Sequence, residues 1–140
     1  MKNVIFACVA ALAFAAAPAH AAGRNCDNAT TQLDLDDCAA ADYQAADGEL
    51  NRVYVRLMSQ YDERNKASLR ESERDWIKYR DSTCEHETAE SVGGTMHPML
   101  VDECLTEKTK DRVRELRKQL HCEEGDLSCN PPDGGTKGGD

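Results

Sequence analysis

A small chain that keeps six cysteines and five aromatic residues once its expected signal is removed has few ways to fold. Of the 140 residues, the first 21 read as a cleavable secretory signal: Lys2, the apolar run Val4 to Ala17, Pro18 and the small-residue site Ala19-His20-Ala21. Cleavage there leaves 119 residues, enough for one domain. Cys8 departs with the signal, so the seven cysteines become six: Cys26, Cys38, Cys84, Cys104, Cys122 and Cys129. An even number in an oxidising compartment reads as disulfides, each adding roughly 2 to 4 kcal/mol. The chain needs them, because both phenylalanines also leave with the signal and the mature aromatics are only Trp76, Tyr43, Tyr54, Tyr61 and Tyr79. The signal's apolar run is too short to anchor in a bilayer, and no lipobox precedes Cys8. The expected location is periplasmic or secreted, without membrane insertion.

Thr31-Gln-Leu-Asp34 resembles a capping box and opens a segment in which Tyr43, Ala46, Leu50, Val53, Leu57, Met58 and Tyr61 recur at helical spacing. This predicts a first helix over Gln32–Tyr61, with Gly48 inside it as a place for a kink or close packing. Asp62 to Lys66 read as a polar break. Beyond it Leu69, Trp76, Tyr79, Arg80 and Thr83 share one side of a second helix over Ala67–Ala89, antiparallel to the first because the break is short. Ser91-Val-Gly-Gly-Thr95 is a loop, and His97-Pro98 suits the start of a third helix striped by Leu105, Thr109, Val113, Leu116 and Leu120 and ending near His121. No strand pattern competes. The fold class is therefore all-α: an up-down-up three-helix bundle over residues 22–121, stabilised by disulfides. The Gly/Pro-rich tail from Cys122 to Asp140 is expected to be disordered apart from a Cys122–Cys129 loop.

This topology gathers the start of helix 1, the end of helix 2, the Gly-Gly loop and the start of helix 3 at one end. Cys26, Cys38, Cys84 and Cys104 lie in those segments and allow three pairings; Cys26 with Cys38 and Cys84 with Cys104 is favoured because both close short loops. The charges divide the same way. Residues 25–49 and residues 81–107 each carry seven acids and no Lys or Arg, so this end holds −14 of a mature net charge of −10 and the rest is +4. Helix dipoles account for acids near the starts of helices 1 and 3 and for Arg112, Arg114, Arg117 and Lys118 near the end of helix 3. They do not account for Glu85, Glu87 and Glu90, which stand where negative charge opposes the dipole. An acidic pole attracts a basic protein or a cation and repels nucleic acid and anionic membranes.

Catalytic chemistry is sparse. The mature histidines are His86, His97 and His121, no Ser or Cys sits in a nucleophile motif, and chance supplies carboxylate pairs on so acidic a surface. Glu85-His86-Glu87 with His97 matches no closed metal motif, so no cofactor is expected. Trp76 reads as core, with Arg80 one turn on stacking over its ring.

In their order and spacing these residues resemble the LprI-type lysozyme inhibitor family. The resemblance runs from Cys26 to Leu120 and rests on Cys26 and Cys38; Ala46-Asp47 followed by Leu50-Asn51 and Tyr54; Trp76-Ile77-Lys78-Tyr79-Arg80-Asp81 leading to Cys84; Gly93-Gly94-Thr95; and Cys104 followed by Thr109 and Arg112. Ser72-Glu73 departs from the Ala-Gln that commonly precedes the tryptophan, and Cys122 and Cys129 are an extra pair. The resemblance implies an all-helical, disulfide-stabilised exported domain that inhibits host lysozyme. C-type lysozymes are basic, so an acidic pole would speed their association. The expectation is a non-enzymatic protein that meets a basic partner, lysozyme, through the Gly93-Gly94-Thr95 loop with Glu85, Glu87, Glu90, Asp102 and Glu103. Two other readings are an envelope interaction or scaffold module with an endogenous partner, and a divalent-cation-binding protein.

Overall fold

The computed structural model describes residues 26–122 together with Asp126, Leu127 and Cys129. The signal expected over residues 1–21 and most of the tail lie outside these residues. Three helices form the domain: α1 (Gln32–Gln60), α2 (Glu63–Glu87) and α3 (His97–Gln119), with short 3-10 turns at Cys26–Asn28 and Ala89–Ser91.

Local chemistry sets the helix ends. Thr31 Oγ1 accepts from the Asp34 backbone N–H at 3.1 Å while the Asp34 carboxylate accepts from the Thr31 N–H, completing the capping box. The α1–α2 junction differs from expectation. Asp62 is the N-cap of α2, accepting from the Asn65 N–H at 2.8 Å, so the polar stretch forms the first turn of α2. Asp, Glu and Asn suit a first turn for the same reason that they look like a linker. Pro98 lies in the first turn of α3, where its missing N–H costs nothing. A Cβ at Gly48 would meet only the end of the Arg52 side chain, at 3.7 Å, so this glycine marks no crowded approach.

The helices run up, down, up. Gln32 meets Met99 near one end of the α1–α3 pair and Glu49 pairs with Arg117 further along, so these two helices are parallel. α2 is antiparallel to α3, with Glu87 paired to Lys108 at 3.1 Å and Glu73 to Arg112 at 2.6 Å. α1 and α3 lie close together, whereas α2 reaches them mainly through long side chains.

The interior has three storeys. Leu50, Val53, Leu57 and Tyr61 of α1, Leu69 of α2 and Val113 and Leu116 of α3 form the apolar core, with Trp76 and Leu120 packed against it. Each fully buried aliphatic side chain is worth about 1.5–3 kcal/mol. Above it lies a polar storey. The buried Arg80 guanidinium sits 5.1 Å from the Trp76 ring centre and 5.4 Å from that of Tyr43, with Nε donating to Asp81 Oδ1 at 2.8 Å. Arg112 also faces Trp76, at 5.9 Å. Tyr79, expected beside Trp76 on the inner side, is 58% exposed, and the inward position is taken by Glu73. The substitution works because Arg112 supplies the charge that a buried carboxylate requires.

The third storey has little apolar core; its buried residues are small or polar, including Ala39, Cys84, Thr88 and Thr106. Disulfides take over here. Cys26–Cys38 and Cys84–Cys104 are both formed, as the short loops favoured. A third bridge joins Cys122 to Cys129 beyond the opposite end.

Candidate functional site

The end tied by disulfides carries the α2–α3 connection. Thr88 caps α2, its hydroxyl donating to the Cys84 carbonyl at 2.8 Å. Ser91 Oγ donates to the Thr88 carbonyl at 2.7 Å, Gly94 N–H to the Ser91 carbonyl at 2.9 Å and His97 N–H to the Gly94 carbonyl at 3.3 Å. Gly93 turns the chain with φ +83°, a backbone conformation that L side chains rarely adopt. Four hydrogen bonds and a glycine therefore fix the shape of a loop whose Gly93, Gly94 and Thr95 are exposed.

Ser91 Oγ and His97 Nδ1 are 2.8 Å apart, a distance that superficially suits a nucleophile and its base. The single hydroxyl proton of Ser91 is already given to the Thr88 carbonyl. His97 Nδ1–H must therefore donate to Ser91, so the imidazole pins the loop and does not activate the hydroxyl. Glu85, His86, Glu87 and His97 do not converge either: among the described residues no group of three or more His, Cys, Asp or Glu is placed to hold a metal ion.

The acids fall on different sides of this end. Glu85, Glu87 and Glu90 are exposed around the end of α2, but Glu87 is engaged by Lys108, whose own pKa is raised by that hydrogen bond. Glu103 lies with Asp42 in a groove of about 470 Å³ between α1 and α3. Asp102 is partly buried, and its pKa is raised first by loss of solvent and then by the negative charge of Asp36 across the α1–α3 contact. The remaining residues of the motifs lie further down. Asn51 donates to Asp47 at 3.0 Å, Leu50 is in the core, Tyr54 packs against it, and Trp76 and Arg80 build the polar storey.

Two kinds of residue escape a reading of charge and periodicity. Val92 and Met96, flanking Gly93-Gly94-Thr95, are 70% and 50% exposed, an apolar rim on a loop surrounded by acids. Their signal was simply two apolar residues where a loop was expected. The other group is a cavity of about 490 Å³ behind the loop, walled by Tyr43, Val92, Val101 and Leu105 and bordered by Arg80, Asp81, Glu85 and His97. It brings together α1, α2 and α3, which no single-helix periodicity reveals. Burial pushes the Tyr43 phenol up; Arg80 opposes this shift while Asp47, Asp81 and Asp102 add to it, so the hydroxyl stays protonated.

Among the described residues no helix is long and apolar enough to cross a membrane. Residues 24–116 match the family described as Lysozyme inhibitor LprI. An uncharacterized protein of Rhizobium meliloti (strain 1021), R02472, is 37% identical over 113 residues, covering 71% of this chain and 81% of that protein. No solved structure matches. With nearly the whole three-helix unit, from before Cys26 to Leu116 of α3, inside the matched span, the chain belongs to the LprI lysozyme inhibitor family.

Proposed function

We propose that the protein is exported and inhibits lysozyme without catalysis, docking its disulfide-tied acidic end on the basic enzyme and covering its cleft. The observation that carries this reading is the juxtaposition of Asp36 and Asp102. Asp102 of α3 lies close enough to Asp36 of α1 that desolvation first, and then the negative charge of Asp36, oppose the charge of Asp102. Folding gains nothing from that arrangement, but a field meant to attract a basic surface does. Val92 and Met96 supply the apolar centre that a protein contact needs, and the acids supply its polar rim.

Glu85 and Glu90, which no base pairs with among the described residues, contribute more to the field than Glu87, which Lys108 offsets. Charge reversal at Glu85 and Glu90 is therefore expected to weaken binding to hen-type lysozyme and flatten its salt dependence, with a smaller effect at Glu87. Between roughly 50 and 300 mM salt the screening length falls about twofold, so an affinity unchanged over that range would remove electrostatic steering.

A further inference from the structure

The cavity behind the Gly-Gly loop has the shape and chemistry of a receptor for one cationic side chain. Its volume of about 490 Å³ leaves room for a side chain and ordered water. Val101 and Leu105 of α3, with Val92 of the loop, offer an apolar lining to a methylene stem, and Tyr43 offers an aromatic wall. The charges are unbalanced toward acid: beside His97, Arg80 is the one Arg or Lys in the lining against Asp81 and Glu85, and Asp47 and Asp102 are close enough to be felt at Tyr43. Both Arg80 bonds to Asp81 fall on Oδ1, and Glu85 has no hydrogen-bond or ion-pair partner among the described residues. Two carboxylates at the border are thus available to a guanidinium, whose planar fork matches them. The protein already uses this combination once, since Arg80 itself is held between aromatic rings and an aspartate at the cavity's edge.

We propose that this cavity takes an arginine side chain of the partner protein as the anchor of the complex. The proposal rests on the docking of the acidic end on a basic protein, and it names the pocket by which that end recognises its partner. The stem lies against Val101 and Leu105, the guanidinium plane meets Tyr43, and Asp81 and Glu85 accept its hydrogen bonds. His97, with Nδ1 donating to Ser91, keeps the loop wall in place. An arginine seated in a desolvated pocket and ringed by weaker contacts is a common form of interface anchor.

The test uses N-acetyl-arginine-methylamide as probe on the oxidised mature chain, followed by methyl and backbone NMR shifts. Saturable perturbation at Val92, Val101 and Leu105 is expected, with a dissociation constant on the order of millimolar. Val101→Trp, which fills the cavity, should abolish it, and Glu85→Gln, an exposed change that leaves packing alone, should weaken it severalfold. Both variants should lose about tenfold or more in affinity for hen-type lysozyme while keeping their melting temperature. No perturbation at tens of millimolar, or perturbation by acetate in place of the arginine probe, overturns the proposal. Unchanged lysozyme inhibition by Val101→Trp also overturns it and leaves the inhibitor reading standing. Binding of the probe by a wild-type chain that does not inhibit lysozyme supports the pocket and refutes the inhibitor reading instead.

Discussion

Arg112 of α3 donates through Nε and Nη2 to one oxygen of Glu73 in α2, at 2.9 and 2.6 Å, and the same Nη2 reaches Ser72 Oγ at 2.7 Å. Ser72-Glu73 of α2 thus serves, with Arg112, as an inter-helix clamp. Both members of the ion pair are largely buried, with side-chain exposures of 14% and 11%. Removing Arg112 strands the buried Glu73, whereas Arg112 without Glu73 keeps Glu115 at 2.8 Å. Arg112→Met is expected to cost about 3 kcal/mol, a fall in melting temperature of roughly 10–20 °C. Replacing both Glu73 and Arg112 by leucine should cost less than Arg112→Met alone, since no buried unpaired charge remains. A double-mutant cycle by thermal denaturation checks the order.

The two disulfides of the tied end close loops of similar size, with separations of 12 and 20 residues, so chain entropy alone gives each about 3 kcal/mol. Their native surroundings differ. Cys84 is 1% exposed and joins α2 to α3, whereas Cys26 belongs to an exposed 3-10 turn before α1. Cys84→Ala with Cys104→Ala should therefore lower the global melting temperature and release the loop. Cys26→Ala with Cys38→Ala should mainly loosen the segment before Thr31, visible in amide exchange at Cys26–Asn28 with a smaller change in melting.

Asp102 makes stability depend on pH in a sense opposite to that of a salt-bridged acid. Its folded pKa lies above the ordinary value of 3.8, so the folded protein holds the proton more tightly than the unfolded chain. Its penalty is absent below 3.8, grows as pH rises through the folded pKa, and is fully present above it. Asp102→Asn is expected to raise the melting temperature at neutral pH and to leave it unchanged at about pH 3. Equal effects at both pH values would remove Asp36 and desolvation as the cause. If the acidic end docks on a basic partner, this stabilised variant should also bind more weakly.

Gly93 separates loop shape from loop space. A Cβ there would meet nothing within 4 Å, yet φ is +83°, so Gly93→Ala pays only backbone strain, about 1 kcal/mol. A Cβ at Gly94 would lie 3.1 Å from the Ser91 carbonyl, which is itself part of the loop's hydrogen bonding. Both alanine variants should melt within a few degrees of wild type and weaken partner binding, measured by calorimetry on the same samples.

The helical order was legible because Leu50, Val53, Leu57, Val113 and Leu116 repeat at helical spacing and are buried as that spacing requires. The first turn of α2 was not, since Asp62-Glu63 and Asn65 are as suitable for a cap as for a linker, and only the Asp62–Asn65 bond distinguishes them. Glu73 and Thr106 defeated the pattern in another way: a polar residue points inward only when a distant partner or a narrow space accepts it, and neither can be read from its own helix. Arg80 over Trp76 was visible as neighbours one turn apart. Tyr43 on the other face of that guanidinium belongs to a different helix, and with it the cavity stayed hidden.

Whether the tied acidic end stops lysozyme is decided by turnover of hen-type and goose-type lysozymes in the presence of the oxidised mature chain, Ala22 to Asp140, with a reduced sample beside it. Stoichiometric inhibition by the oxidised protein that disappears on reduction is expected, because the Cys84–Cys104 bridge holds the end where apolar packing does not. Absence of inhibition at tens of micromolar, the weakness of a contact worth about −6 kcal/mol, would contradict it.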